Sequence, residues 1–222
     1  MLSKMKSEPI LAQIIDRLRG WPPQPALPDT GRREAAVLLA LTAPGEPEVV
    51  LIKRAEHLNS HGGQVALPGG MWDPGDASLL ETALRESEEE IGLPSARVEL
   101  IARLPRRETR AGIPVTPYLA RIPHDLALRP DPGELDAVFR VPLGFLLDQD
   151  NLVSDRFEIA GGWQQLPCYR YRGYRIWGFT FQVLVHFLNV ALDARLRFAH
   201  LGQTLAPEVL AQLAKLEEEH PQ

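Results

Sequence analysis

The stretch from Gly69 to Leu93, GGMWDPGDASLLETALRESEEEIGL, constrains this chain more than any other. Its start and stop signals are both explicit. Ser78 followed by Glu81 is a capping-box pattern, and Gly92 stands where a glycine closes a helix. The spacing therefore predicts a helix over residues 78–91. At 100° per residue, Leu80, Ala83, Leu84, Ser87 and Ile91 share a core-facing side. Glu86, Glu89 and Glu90 fall within an arc of about 100° beside it, while Glu81 and Glu88 point to solvent. Any fold must bury one side of this helix and keep three adjacent acids at its margin.

Crowded carboxylates repel one another and are driven towards protonation. A divalent cation removes that cost, and Mg²⁺ commonly bridges carboxylates to substrate phosphates. Arg85, four residues before Glu89 and four after Glu81, is placed to brace an acid from the side. Pro68-Gly69-Gly70 is expected as a glycine turn that approaches a ligand closely, with a backbone carbonyl there as a further candidate metal ligand. An acidic run on a helix is usually a solvated face. Here the glycine pair, the Arg-Glu pair and the closing Gly92-Leu93 come at fixed spacings, which argues for function.

The rest of the composition narrows the classes. The chain has 222 residues, 45% hydrophobic and 24% charged, long enough for one domain with extensions. A net charge of −5 and a pI near 5.7 give no basic stripe, so no nucleic-acid partner is expected. The single cysteine, Cys168, forms no internal disulfide, and Met1–Pro9 lacks the apolar core of a secretory signal. The longest apolar stretch, Trp177–Leu192, is broken by Gln182, His186 and Asn189 and is too short for a bilayer. A cytoplasmic protein with no membrane partner is the expectation.

Along the chain, Pro9–Arg19 has the spacing of an amphipathic helix, and Trp21–Pro28 is a proline-rich linker or wrapping segment. Strands are expected over Ala35–Thr42, Glu48–Lys53, Arg97–Leu104, Pro114–Ile122 and Ala137–Pro142, with a short one in Gln64–Leu67. Leu143–Leu147 is a helical turn. Tyr169–Tyr171 and Tyr174–Trp177 form a hairpin around Arg172-Gly173, and helices follow at Thr180–Arg195 and Pro207–Glu219. Strands and helices mix without regular βαβ alternation, which favours an α+β sandwich with a mixed sheet. The expected organisation is an N-terminal extension (1–30), a main domain (31–200) and a C-terminal helix (201–222). The apolar faces of the terminal helices suit a homodimer as well as they suit wrapping the core.

Arg85–Leu93, RESEEEIGL, resembles the second half of the Nudix box, REUxEExGU, with Ser87 where a bulky apolar residue is usual. The first half departs from the general form. Five residues separate Gly70 from Asp76, which replaces Glu, and eight rather than seven separate Asp76 from Arg85. That longer box resembles the coenzyme A pyrophosphatase branch. Leu51–Gly70, LIKRAEHLNSHGGQVALPGG, is similar to the branch signature LLTxRSxxLRxHxGQVxFPGG, with Asn59 and Leu67 among its departures, in place of Arg and Phe. A lost guanidinium removes a bidentate phosphate contact that Asn cannot replace. Arg106, Arg107 and Arg110 are candidates to compensate.

The resemblance implies a Nudix-type α/β/α sandwich and hydrolysis of a nucleoside diphosphate linked to another moiety. For this branch the products are 3′,5′-ADP and 4′-phosphopantetheine; a nucleotide sugar or dinucleotide is the alternative substrate, and a non-catalytic nucleotide-binding domain a lesser one. It implies Mg²⁺ or Mn²⁺ held by Glu86, Glu89 and Glu90, with Gly69 as the carbonyl candidate. Glu86 and Arg85 are expected catalytic residues. Glu134, in the loop RPDPGE, is the candidate base from outside the box, with Glu108 behind it and a surface role equally open. Arg54, Gln64 and Gly70 are the expected substrate contacts, although Arg54 is as well suited to pairing with a loop acid. Asp76 either assists or shapes its loop. His61 is expected to fix a loop, and His186 and Cys168 to be buried structural residues.

Overall fold

A nearly unbroken apolar run, AAVLLALTA, forms β1 (Ala35–Ala43) and is buried along almost its whole length. Such a strand must be covered on both faces, the usual condition of parallel neighbours. Its full-length partner is β7 (Pro114–Pro123), parallel and in register from Ala35↔Val115 to Ala43↔Pro123. The structure, a computed structural model, describes residues 7–19, 33–159 and 162–198, with positions 209 and 211. The expected linker at 21–28 and most of the expected helix at 207–219 lie outside the described residues. Two compact units divide between Pro142 and Leu143.

In the first unit eight strands, among the described residues, share one mixed sheet. Antiparallel to β1 run β2 (Glu48–Arg54) and the short β4 (Gly69–Met71). Next to β2 lie β3 (Val65–Ala66) and β8 (Leu135–Pro142). On the other side, β5 (Glu99–Arg103) and β6 (Arg107–Glu108) pair with β7. The helix α1 (Ser7–Arg19) turns Ile10, Leu11, Ile14 and Leu18 inward. The helix α2 (Leu79–Ile91) packs Ala83 and Ile91 with Leu93 onto Ala36, Leu38 and Ala40 of β1. The α+β class with a mixed sheet is therefore the one expected.

The ends of α2 follow the sequence signals closely. Ser78 Oγ accepts the Glu81 N–H (3.2 Å), while the Glu81 carboxylate reaches back to the Ala77 N–H (2.7 Å), one residue beyond the usual reciprocal partner. Gly92 takes φ 64°, and the Gly92 and Leu93 amides bond Glu88 O and Ser87 O. Ser87 is fully buried and returns its hydroxyl to Ala83 O (2.6 Å). A small polar residue is thus satisfied within its own helix where the box usually has a bulky one. Leu84, expected in the core, is only half-buried. Thr82 is buried instead, because it serves Asp76.

The second unit comprises α3 (Leu143–Leu147), a three-stranded antiparallel sheet, and α4 (Gly178–Leu192). The sheet is β9 (Leu152–Ile159), β10 (Gly162–Tyr171) and β11 (Tyr174–Trp177). Tyr171 pairs with Tyr174 across Arg172 and Gly173, both at positive φ, the two-residue turn that matches strand twist. Tyr169 is fully buried, donating its hydroxyl to Leu146 O (2.9 Å) and packing on Phe181. The helix expected to reach Arg195 ends at Leu192, because Asp193 turns left-handed (φ 51°). Cys168 is buried and its thiol is pushed up to about 11 by that burial, which makes it a poor nucleophile at neutral pH. Among the described residues no helix is long and apolar enough to cross a membrane.

Candidate metal and catalytic site

The Gly69-Gly70 pair is not the open turn that two glycines suggest. It is a strand, β4, pressed between β1 and α2, with Val37↔Gly69 and Ala36↔Gly70. Gly69 has φ 141°, and a Cβ there would run into Ala36 O and lie 2.6 Å from Val37 Cα. At Gly70 a Cβ would meet the carboxylate of Glu86. The glycines thus bring backbone against backbone at one position and backbone against an acid at the next. The Gly69 N–H donates to Glu90 Oε2 (2.9 Å), tying strand to helix.

Glu90 is 2% exposed, and it faces Arg54, with Nη1 3.7 Å from Oε1. Burial pushes its carboxyl up to about 7; the charges of Glu86 and Glu134 add to this, while the Gly69 N–H and Arg54 oppose it. Glu86 is raised for the same first reason, with Glu89 and Glu134 adding and Arg85 opposing. Glu89 is exposed on the same edge. Glu89 thus acts on Glu86, Glu86 on Glu90, and Glu134 on both Glu86 and Glu90.

Arg85 is the hub beneath them. Its Nε and Nη2 hold the two oxygens of Asp76 (2.8 and 3.0 Å). Nη2 also meets Glu86 (3.0 Å), and Nη1 meets Glu89 (2.9 Å). Asp76 is buried and accepts further from Thr82 Oγ1 (2.8 Å) and the Asp73 N–H (3.1 Å). The guanidinium holds its carboxyl well below the usual carboxylate range. Asp76 therefore shapes the loop and anchors the arginine, and Thr82 is the partner that sequence reading missed. A threonine on the inner side of the helix, six residues after the acid, was the available signal.

Replacing Asp76 by Asn is expected to cost about 3 kcal/mol, the low end for a broken buried ion pair, because Arg85 is itself partly exposed. A depressed folded pKa contributes stability that is complete above about pH 4 and lost as pH falls through the folded value. Thermal melts should therefore separate wild type from variant at pH 7 and bring them together in acid. Equal melting temperatures at pH 7 would refute the brace.

Glu134 reaches the cluster through its backbone. The Arg129 and Asp131 amides bond Ile91 O (3.0 Å) and Glu90 O (2.8 Å) at the end of α2. Glu134 O accepts the Ala55 N–H (2.8 Å) just past β2. Glu108 sits exposed on β6 opposite Pro114, and the charges acting on Glu86 and Glu90 come from Glu134, Glu89, Arg85 and Arg54. Arg54 faces Glu90 of α2 rather than the loop acid that was its alternative partner. The Gln64 side chain is turned to His61 Nδ1 (3.1 Å) in a loop where His61 has φ 57°, while its carbonyl bonds the Arg54 N–H. Arg106 pairs with Glu34 (3.4 Å).

The donor set fits a hard divalent cation. It is all oxygen, Glu90 is buried with one amide and one distant guanidinium, Glu86 and Glu134 crowd it, and Glu89 acts on Glu86. Among the described residues, no three acids already converge on one point, since Glu86 and Glu89 turn onto Arg85. An ion drawing on those two competes with Arg85 for them. Concavity alone would mislead here. A cavity of about 720 Å³ lined by Leu11, Ile15, Pro44, Val98 and Ile122 lies at the Ala43 end of β1, opposite to Gly69 and Gly70.

The family model of the NUDIX domain matches residues 31–165, which contain β4, α2 and Glu134. The chain belongs to the Nudix hydrolase family. A Photorhabdus laumondii protein named as an uncharacterized Nudix hydrolase NudL is 36% identical over 175 residues, covering 78% of this chain and 94% of that one. A Cronobacter sakazakii protein of the same name is 36% identical over 177 residues, 79% and 92% of the two chains. A crystal structure of a MutT/nudix family protein from Enterococcus faecalis superposes with a TM-score of 0.51 at 19% identity, over 94% of this chain and 80% of that one. At that identity it shows the Nudix fold alone. As a Nudix hydrolase the protein is a pyrophosphatase, and Nudix hydrolases generally use divalent metals.

Proposed function

We propose that this Nudix hydrolase cleaves the pyrophosphate of coenzyme A or acyl-coenzyme A, releasing 3′,5′-ADP and 4′-phosphopantetheine or its acyl form. The observation that carries the reading is that Glu86 and Glu90 lie against β4, with Glu89 and Glu134 acting on them, at the end of a segment, Leu51–Gly70, similar to the coenzyme A branch signature. Glu86, Glu89, Glu90 and the Gly69 carbonyl would hold Mg²⁺ or Mn²⁺, which would neutralise pyrophosphate oxygens and lower the pKa of the attacking water. Glu134 takes the proton of that water. Arg85 sets the positions of Glu86 and Glu89. Arg54, Gln64 and Gly70 meet the substrate. The catalytic domain spans residues 31–200, flanked by residues 1–30 and 201–222, in a cytoplasmic protein able to pair as a homodimer.

A second reading is hydrolysis of another nucleoside diphosphate derivative, such as a nucleotide sugar or dinucleotide. Its support is now Asn59, which is exposed in the loop between β2 and β3, since Leu67 is 3% exposed and belongs to the core. Purified protein with Mg²⁺ or Mn²⁺ should turn over coenzyme A in preference to NADH, ADP-ribose, diadenosine polyphosphates and dNTPs. Cleavage of the others but not coenzyme A would establish the second reading. No turnover by folded protein would leave a nucleotide-binding domain. Glu89→Gln is expected to abolish metal-dependent turnover at little cost in stability, because Glu89 is exposed; retained activity would remove it from the ligand set.

A further inference from the structure

Trp72 is one of three large apolar side chains exposed among the described residues, and it stands beside the carboxylate cluster. Its amide bonds Glu34 O (2.9 Å), so the β1–β4 ladder continues one step past Met71. Side chains alternate along a strand, which puts Trp72 on the same side as Gly70, the side on which Glu86 lies. The indole is not free to turn. Its Nε1–H donates to Asp76 O (3.1 Å), the residue that anchors Arg85. The ring is nevertheless 45% exposed. By the same register Glu34 lies directly across from Trp72, and Glu34 holds Arg106.

A fixed, half-exposed indole thus stands two residues along the strand from the glycine that touches Glu86. With a guanidinium held across from it, it has the chemistry that receives a planar base beside an anionic group. We propose that Trp72 is a specificity-determining residue of this site, the platform on which the purine of the nucleotide substrate stacks. This rests on the nucleotide reading above. Stacking of a base on an aromatic side chain is worth about 10- to 100-fold in affinity.

The test uses two uncleavable probes with Mg²⁺ and the full chain: α,β-methylene-ADP, which carries the base, and methylenediphosphonate, which does not. Trp72→Ala is expected to weaken the first about 10- to 100-fold and leave the second unchanged. Trp72→Phe lacks the Nε1–Asp76 bond but keeps a ring, and it should bind the first probe within about 3-fold of wild type. In turnover, Trp72→Ala should raise KM and leave kcat in place. Equal loss of both probes, or a Phe variant as weak as the Ala variant, would assign Trp72 to the loop's structure and overturn the inference. Unchanged binding in both variants would overturn it as well. Wild type that bound neither probe would instead remove the nucleotide reading, and this inference with it.

Discussion

Glu90→Gln is expected to make the metal-free protein more stable at pH 8 while removing its turnover. Glu90 is buried and its carboxyl is raised to about 7, first by burial and then by Glu86 and Glu134. An acid with a raised folded pKa binds its proton more tightly in the folded chain than in the unfolded one. Between about pH 4.5 and 7 the folded protein therefore holds more protons, and its stability falls as pH rises across that window. Above it the ionised group costs about 3 kcal/mol. Glutamine keeps an oxygen for the Gly69 N–H and carries no charge. In chelator, the variant should melt about 5–10 °C above wild type at pH 8 and converge with it near pH 4. Added Mn²⁺ should raise the melting temperature of wild type and not of the variant. Turnover should fall about 10²–10⁴-fold, the several kcal/mol a metal supplies. A variant less stable than wild type at pH 8, or one that keeps its activity, would show that Glu90 is not the strained ligand described.

The adjacent glycines should respond to alanine in opposite ways. At Gly69 the new Cβ strikes β1 backbone, which cannot yield, and φ 141° is closed to alanine. The expected cost is about 3 kcal/mol or more, felt as poor folding. At Gly70 the obstacle is the far end of the Glu86 side chain, which can swing aside. Stability should change by about 1 kcal/mol or less, while displacement of that carboxylate lowers kcat about 10²-fold or more. Urea unfolding and steady-state kinetics on the two variants read both effects. Gly70→Ala with wild-type kcat would separate Glu86 from the reaction.

What could be read in the sequence was local. The bounds of α2 follow from Ser78 and Gly92, and the β10–β11 hairpin from Arg172-Gly173, because caps and tight turns are chosen by the residues that make them. The face of Glu86, Glu89 and Glu90 followed from helical spacing alone. Three things did not follow. β4 was hidden because a glycine pair carries no strand signal, and only its register against β1 makes it one. β9 was hidden because LVSDRFEI places charges at Asp155, Arg156 and Glu158, and its pairing with β10 supplies the order. The burial of Glu90 and the closeness of Glu134 depend on amides from Gly69, Asp131 and Ala55, contacts between segments far apart in the chain. The carboxylate face was legible, but the charge it must bear was not.

The two amides that close the end of α2 carry a measurable consequence. Arg129 and Asp131 donate to Ile91 O and Glu90 O, and the same loop presents Glu134. For Glu134 to leave the cluster by loop movement, those two bonds must open. Their amide protons then exchange with solvent in proportion to the open population of that loop. The free energy that holds Glu134 in place is thereby written into the hydrogen exchange of two other residues.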